Sequence, residues 1–254
     1  MRPVNIKTYQ VLRGIAQLKI SFRKNYIHYL QEALGLAIFM VSACFFSAML
    51  ESPLSSWHQT ISNNELRNVI MGILMGATAL FIFYSPFTAP SGSHINPAVT
   101  ITFFRLRKME KWDSLFYILF QIAGGLIAVY IMVSLMGEKL TSAPVNYATT
   151  VPGKYGAVGA AITEFIIALM MMLMILFTTA NQRLKKYTRI FSGCFVCIYV
   201  IIAGPISGFG MNPARTAASA IPAHIYTSFW LYMVMPFAGM LSAAEVFVRS
   251  GKKI

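Results

Sequence analysis

Ser207-Gly208-Phe209-Gly210-Met211-Asn212-Pro213-Ala214-Arg215-Thr216 has a second version earlier in the chain, Ser91-Gly92-Ser93-His94-Ile95-Asn96-Pro97-Ala98-Val99-Thr100. In each copy a glycine-containing loop runs into Asn-Pro-Ala and then into small and apolar residues. That is the pattern of an asparagine N-cap, a proline in the first helical turn and a short helix behind them. A helix N-terminus carries unpaired N–H groups and a partial positive charge. Two such ends meeting inside a membrane repel cations while still offering hydrogen bonds to a neutral polar solute. A single Asn-Pro-Ala is a routine helix start. Its repetition, each time in a Ser-Gly loop after two hydrophobic stretches, is what carries weight.

The rest of the chain supplies the membrane. Of 254 residues, 57% are hydrophobic and 11% charged, whereas an ordinary soluble domain is about a quarter charged. A bilayer span needs about 20 mostly apolar residues, and six stretches qualify, at roughly 30–50, 66–86, 114–136, 158–179, 190–206 and 226–247. Six spans and two half-spans consume most of the chain, leaving one domain of two fused halves. Each half has an odd number of full crossings, so the two Asn-Pro-Ala copies enter the membrane from opposite faces as an inverted repeat. Asn96 and Asn212 are then expected side by side at the midplane, each with its oxygen on its own helix end and its amide N–H₂ pointed into the space between.

The net charge of +13 does not indicate a nucleic-acid partner, because its distribution follows the spans. With a cytoplasmic N-terminus, the cytoplasmic face receives Arg2, Lys7, Arg13, Lys19, Arg23 and Lys24, then Arg105, Arg107, Lys108 and Lys111. It also receives Arg183, Lys185, Lys186 and Arg189, and at the end Arg249, Lys252 and Lys253. Only Arg67, Lys139, Lys154 and Arg215 remain for the other side. This bias predicts both termini in the cytoplasm, with contact to anionic lipid. Val11, Leu12, Ile15, Leu18, Ile20 and Phe22 are spaced as on an amphipathic surface helix. Cys44, Cys194 and Cys197 sit within spans as small packing residues; no metal site or cofactor is expected.

The doubled Asn-Pro-Ala with Arg215 behind the second copy resembles the aquaporin, or major intrinsic protein, family. The resemblance implies an all-α membrane fold of six transmembrane helices and two re-entrant half-helices. It divides the chain into a basic cytoplasmic tail over 1–28 and a channel domain over 29–254, with halves at 29–136 and 158–248. Asn96, Pro97 and Ala98 pair with Asn212, Pro213 and Ala214 as the pore motifs. A carboxylate inside a bilayer persists where it accepts hydrogen bonds from backbone that would otherwise be unpaired. In the family the matching glutamates brace the two loops, a role carried here to Glu32 and Glu164. His94 is a further loop-bracing or inner-mouth residue.

The resemblance also places Arg215 in an outer constriction, where a fixed charge and a fork of donors oppose cations and protons. Counting back from Asn212 adds Phe209 and Val200. The stretch Tyr84–Pro90 is about one residue longer than the usual family loop, so Met75 and Gly76 compete for the fourth position. Met75 is preferred, because a Met-Gly pair then matches the usual aromatic-Gly pair. Val200 and a non-aromatic fourth residue imply a less polar, wider filter than that of strict water channels. Thr216, Ala220 and Tyr232 resemble the water-selective pattern, and Ala203-Gly204-Pro205-Ile206-Ser207-Gly208 resembles the nodulin-type group.

The expected function is a passive channel for water and small uncharged solutes in the cell membrane, as a homotetramer by family precedent. The alternative is an aquaglyceroporin or nodulin-type channel chiefly for glycerol, urea or other neutral solutes. A secondary transporter is more distant, since it needs ion-coupling carboxylates near the midplane, where Glu32 and Glu164 already have structural roles. An enzyme needs paired acids, a metal cluster or an activated nucleophile. The only aspartate is Asp113, and His28, His58, His94 and His224 are scattered.

Overall fold

The computed structural model describes residues 6–253, with side chains from Gly14 onward. Arg2 therefore lies outside the described residues, and Lys7, Val11, Leu12 and Arg13 outside the described side chains. Among the described residues six helices are long and apolar enough to cross a membrane: α1 (Ile6–Glu51), α2 (Asn64–Tyr84), α4 (Lys111–Met136), α5 (Gly156–Thr179), α6 (Thr188–Ser207) and α8 (Phe229–Arg249). Two shorter helices, α3 (Pro97–Arg105) and α7 (Pro213–Ala223), begin directly after Asn96 and Asn212.

The packing obeys an inverted repeat. In the first half α1 packs along α4 and against α2; in the second, α5 packs along α8 and against α6. The halves meet where α2 crosses α6, and each half-helix is exchanged, α3 lying on α8 and α7 on α4. Small residues set the closest approaches, as expected where lipid supplies no hydrophobic drive for association. A Cβ on Gly124 would collide with the backbone of Ala33, and one on Gly239 with the carbonyl of Phe165. Gly72 and Gly76 face Ile201 and Cys197 across the α2–α6 contact. Cys197 thus does pack, whereas Cys194 is exposed.

The 28/29 boundary between tail and first span has no counterpart in the backbone, because α1 is continuous for 46 residues. That length is about 70 Å, more than twice a hydrocarbon core. No Gly or Pro interrupts the chain between Gly14 and Gly35, and tertiary contacts hold the extension against α4. Asn25 donates to Asp113 at 3.0 Å, Tyr29 and Ser21 hydrogen-bond to the same carboxylate, and Phe22 meets Phe116 edge-on at 5.2 Å.

The two ends of the bundle differ. Arg105 pairs with Glu245 at 2.8 Å, Arg189 lies over Tyr84 and Lys252 over Phe177, which gathers the basic segments on one face. The opposite face carries the helix Ser56–Thr60 and the 137–155 connection. That connection reaches inward, where Gly153 N–H donates to Ile206 O at 2.9 Å. Arg67 at the start of α2 is buried as well, 7% exposed, among polar partners. Its guanidinium donates to the carbonyl of Ile61 at 2.8 Å and faces Glu51 at 3.4 Å.

Candidate functional site: facing half-helices between two cavities

Both re-entrant loops are built on unfavourable backbone. Gly92, Ser93 and Ile95 have φ of 92°, 48° and 43°, and Gly208, Phe209 and Met211 have 77°, 51° and 44°. Positive φ at non-glycine residues costs on the order of 1–3 kcal/mol each and persists only where the surroundings impose it. Here two buried carboxylates do so. Glu32 accepts from Ser91 Oγ at 2.6 Å, His94 N at 2.9 Å, Ile95 N at 2.6 Å and Gln121 Nε2 at 2.8 Å. Glu164 accepts from Ser207 Oγ at 2.6 Å, Gly210 N at 2.8 Å and Met211 N. Both carboxylates are 0% exposed. A buried tyrosine completes each loop, Tyr117 donating to Ser91 O at 2.8 Å and Tyr232 to Ser207 O at 2.6 Å.

The asparagines cap their helices, Asn96 Oδ1 accepting from Ala98 N at 2.9 Å and Asn212 Oδ1 from Ala214 N at 3.0 Å and Arg215 N at 3.2 Å. Their amide N–H₂ groups do not both point freely into the space between. Asn96 Nδ2 donates to Met211 O at 2.9 Å, and Asn212 Nδ2 to Ile95 O at 2.6 Å. The turned φ of Ile95 and Met211 leaves each carbonyl where the opposite asparagine reaches it, so one amide hydrogen per asparagine ties the loops together and one remains.

Two cavities flank this junction. One, of about 590 Å³, opens on the basic face and is lined by His94, Asn96, Asn212, Phe83, Phe103 and others. The second, of about 770 Å³, opens on the opposite face and contains Met75, Val200 and Arg215. Phe39 and Phe209 line both, so these two rings wall the passage between them. Gly76 is absent from both linings and packs against Cys197 and Gly193 of α6, whereas Met75 lines the second cavity together with other α2 residues such as Asn68 and Met71. The His94 ring lies parallel to Phe103 at 4.8 Å with Nδ1 3.2 Å from Thr100 Oγ1, while its backbone N–H belongs to the Glu32 cluster.

Sequence reasoning missed Phe39, Tyr117, Gln121 and Asn68. Phe39 falls two turns beyond Glu32 on α1, with nothing local to mark it. Asn68 had a usable signal in Pro205, which leaves the carbonyl four residues earlier without its helical donor. Asn68 Nδ2 donates to that carbonyl, Ile201 O, at 2.8 Å.

Six spans with two opposed half-helices meeting at the centre define an inverted-repeat pore fold. Residues 19–247 match the family described as major intrinsic protein, and the chain belongs to that family. Among curated relatives, "Probable aquaporin NIP-type" of Nicotiana alata is 35% identical over 165 residues, 64% of this chain and 60% of the relative. "Aquaporin NIP2-3" of Zea mays is 33% identical over 158 residues, 62% of this chain and 50% of the relative. The matched stretch thus spans about half to three-fifths of these relatives' length. In fold, the chain is similar to the aquaglyceroporin from Plasmodium falciparum. The TM-score is 0.73 at 18% identity, over 87% of this chain and 95% of that one.

Proposed function

We propose that the protein is a passive transmembrane pore for water and small uncharged solutes that excludes protons and other ions. The observation that carries this reading is the head-to-head junction of α3 and α7, set between two cavities on opposite faces. Two positive helix ends at the centre of a low-dielectric passage oppose a cation, and the remaining asparagine hydrogens serve as donors to a neutral solute. Conduction of this kind needs no covalent step and no cofactor.

Arg215, Phe209, Val200 and Met75 act together as the selectivity filter. Their shared presence on the lining of the second cavity supports this. Val200 and Met75 offer no hydrogen bonds, so polar recognition falls to Arg215, while Phe209 gives an apolar wall to the carbon face of a small polyol or amide. Glu32 and Glu164 hold the loops in their strained form, and His94 contributes to the inner mouth. The basic face is cytoplasmic by the charge bias, the protein resides in the cell membrane, and four copies assemble with a pore in each.

Side-by-side measurement of water, glycerol and urea fluxes in vesicles containing the purified chain tests this reading. Water flux above that of empty vesicles, without ion leak, is the expected result. Solute flux at the level of empty vesicles would restrict the pore to water, and solute flux with little water flux would favour a glycerol- or urea-type channel.

A further inference from the structure

The cavity on the basic face differs in charge from its counterpart. Lys185, Lys186 and Arg189 line its opening and no carboxylate does, whereas the second cavity sets Glu51 and Glu65 beside Lys154 and Arg215. Among the described residues the ion pairs are Arg67–Glu51 and Arg105–Glu245, so none of the three rim cations is neutralised by an acid. Two of them rest against aromatic rings, Lys186 Nζ 4.8 Å from the centre of Tyr187 and the Arg189 guanidinium 5.5 Å from that of Tyr84. Deeper in, the walls are apolar, formed by Phe83, Phe103, Met171, Ile175 and Met240. The floor adds the positive ends of α3 and α7.

Cations of one sign around a low-dielectric recess focus a field that concentrates anions, and a volume of about 590 Å³ falls in the usual range for small-molecule sites. We propose that this cavity binds an organic anion with an apolar body, its carboxylate, sulfonate or phosphate head on Lys185, Lys186 and Arg189. Its body lies against the apolar walls, and occupancy blocks the passage from the basic face. Phe39 and Phe209 close the far end to a ligand of this size. The blocking effect rests on the reading of the molecule as a pore; the binding site does not. A free amphipathic acid and an anionic lipid both present this chemistry.

The test uses the full chain in phosphatidylcholine vesicles, with osmotic water flux read in the presence of 2-naphthalenesulfonate, a permanently charged probe, on both sides. The sulfonate is expected to block, while 2-naphthalenemethanol and a naphthyl trimethylammonium cation of similar size leave the flux unchanged. In a Lys185→Gln/Lys186→Gln/Arg189→Gln variant, normalised to its own flux, the half-blocking concentration is expected to rise roughly tenfold or more, as for loss of charge-assisted contacts. The three side chains are exposed, so folding does not depend on them. Adding phosphatidylglycerol separates the two sources. A lower basal flux for wild type but not for the variant identifies lipid as an occupant; an unchanged flux beside a sulfonate block identifies a soluble anion. Equal block by all three probes, or a block undiminished in the variant, overturns the proposal while leaving the pore intact. Should the vesicles show neither water nor glycerol nor urea flux above that of empty vesicles, the pore reading fails instead. Equilibrium dialysis of the sulfonate then decides the site, which falls if wild type and variant bind alike.

Discussion

Asn96 and Asn212 each hold the other's loop: the amide of Asn96 donates to Met211 O at 2.9 Å and that of Asn212 to Ile95 O at 2.6 Å. The residue accepting in each case is the one before the opposite asparagine, at positive φ and with its own N–H on a buried glutamate. Strain, brace and cap therefore form one closed unit across the pseudo-two-fold axis. An aspartate at 212 keeps the cap acceptor but sets a carboxylate against Ile95 O. Asn212→Asp is expected to lower stability by about 1–3 kcal/mol and to admit cations. Thermal unfolding in detergent and sodium flux in vesicles would show both changes.

Glu164 has three donors, and Pro236 occupies the place that, by the repeat, Gln121 fills beside Glu32. Glu164→Gln replaces one of the two acceptor oxygens with an N–H₂ donor, so that either Gly210 N or Met211 N, which bond to different oxygens, loses its acceptor. The expected cost is about 1–3 kcal/mol per group left unpaired, with collapse of the Phe209 and Met211 conformations and loss of water flux. A variant with wild-type melting temperature and flux would show that the loop holds without its brace.

Arg215 is in the second cavity, and among the described residues its guanidinium has one long contact, 3.5 Å, from Nη1 to Ser219 Oγ. Removing it should leave the packed core intact. Arg215→Val is expected to retain water flux and to weaken proton or cation exclusion, read with a pH-sensitive dye inside the vesicles. Unchanged ion exclusion in a folded, water-permeable variant removes Arg215 from the barrier.

Phe39 and Phe209 bound the passage from α1 and from the second loop. Phe209→Ala and Phe39→Ala are each expected to raise glycerol and urea flux relative to water, and the double variant more than either. Because truncating a buried phenylalanine typically costs about 3–5 kcal/mol, a melting curve must accompany each flux measurement. A folded Phe39→Ala variant with wild-type solute ratios would place the constriction on Phe209 alone.

The two faces can be assigned by labelling. In a background with Cys44, Cys194 and Cys197 replaced, a cysteine at Ser142 should react with an impermeant reagent on intact cells and one at Lys186 should not. Ser142 and Lys186 are both exposed, so access alone decides the result, and the reverse pattern inverts the topology.

The six spans, the two half-helices and their inverted relation were legible in the chain itself, because each rests on local signals. Apolar runs of membrane length mark the spans, and Asn-Pro at a helix start marks each half-helix. The two glutamates stood out because a carboxylate in lipid demands donors. What tertiary structure alone decided is whatever needs two distant segments at once. Local rules gave each asparagine its cap but not the destination of its amide, which depends on a carbonyl in the other half of the chain. The continuity of α1 past residue 28 was hidden because charged side chains imply a boundary, whereas Asp113 and Phe116 on α4 supply the contacts that carry the helix through. That Met75 lines the second cavity while Gly76 packs against Cys197 depends on the α2–α6 crossing, which no local spacing specifies. Phe39 and Phe209 both line the two cavities although no spacing links them, since the walls are assembled from both repeats and their register is set by packing.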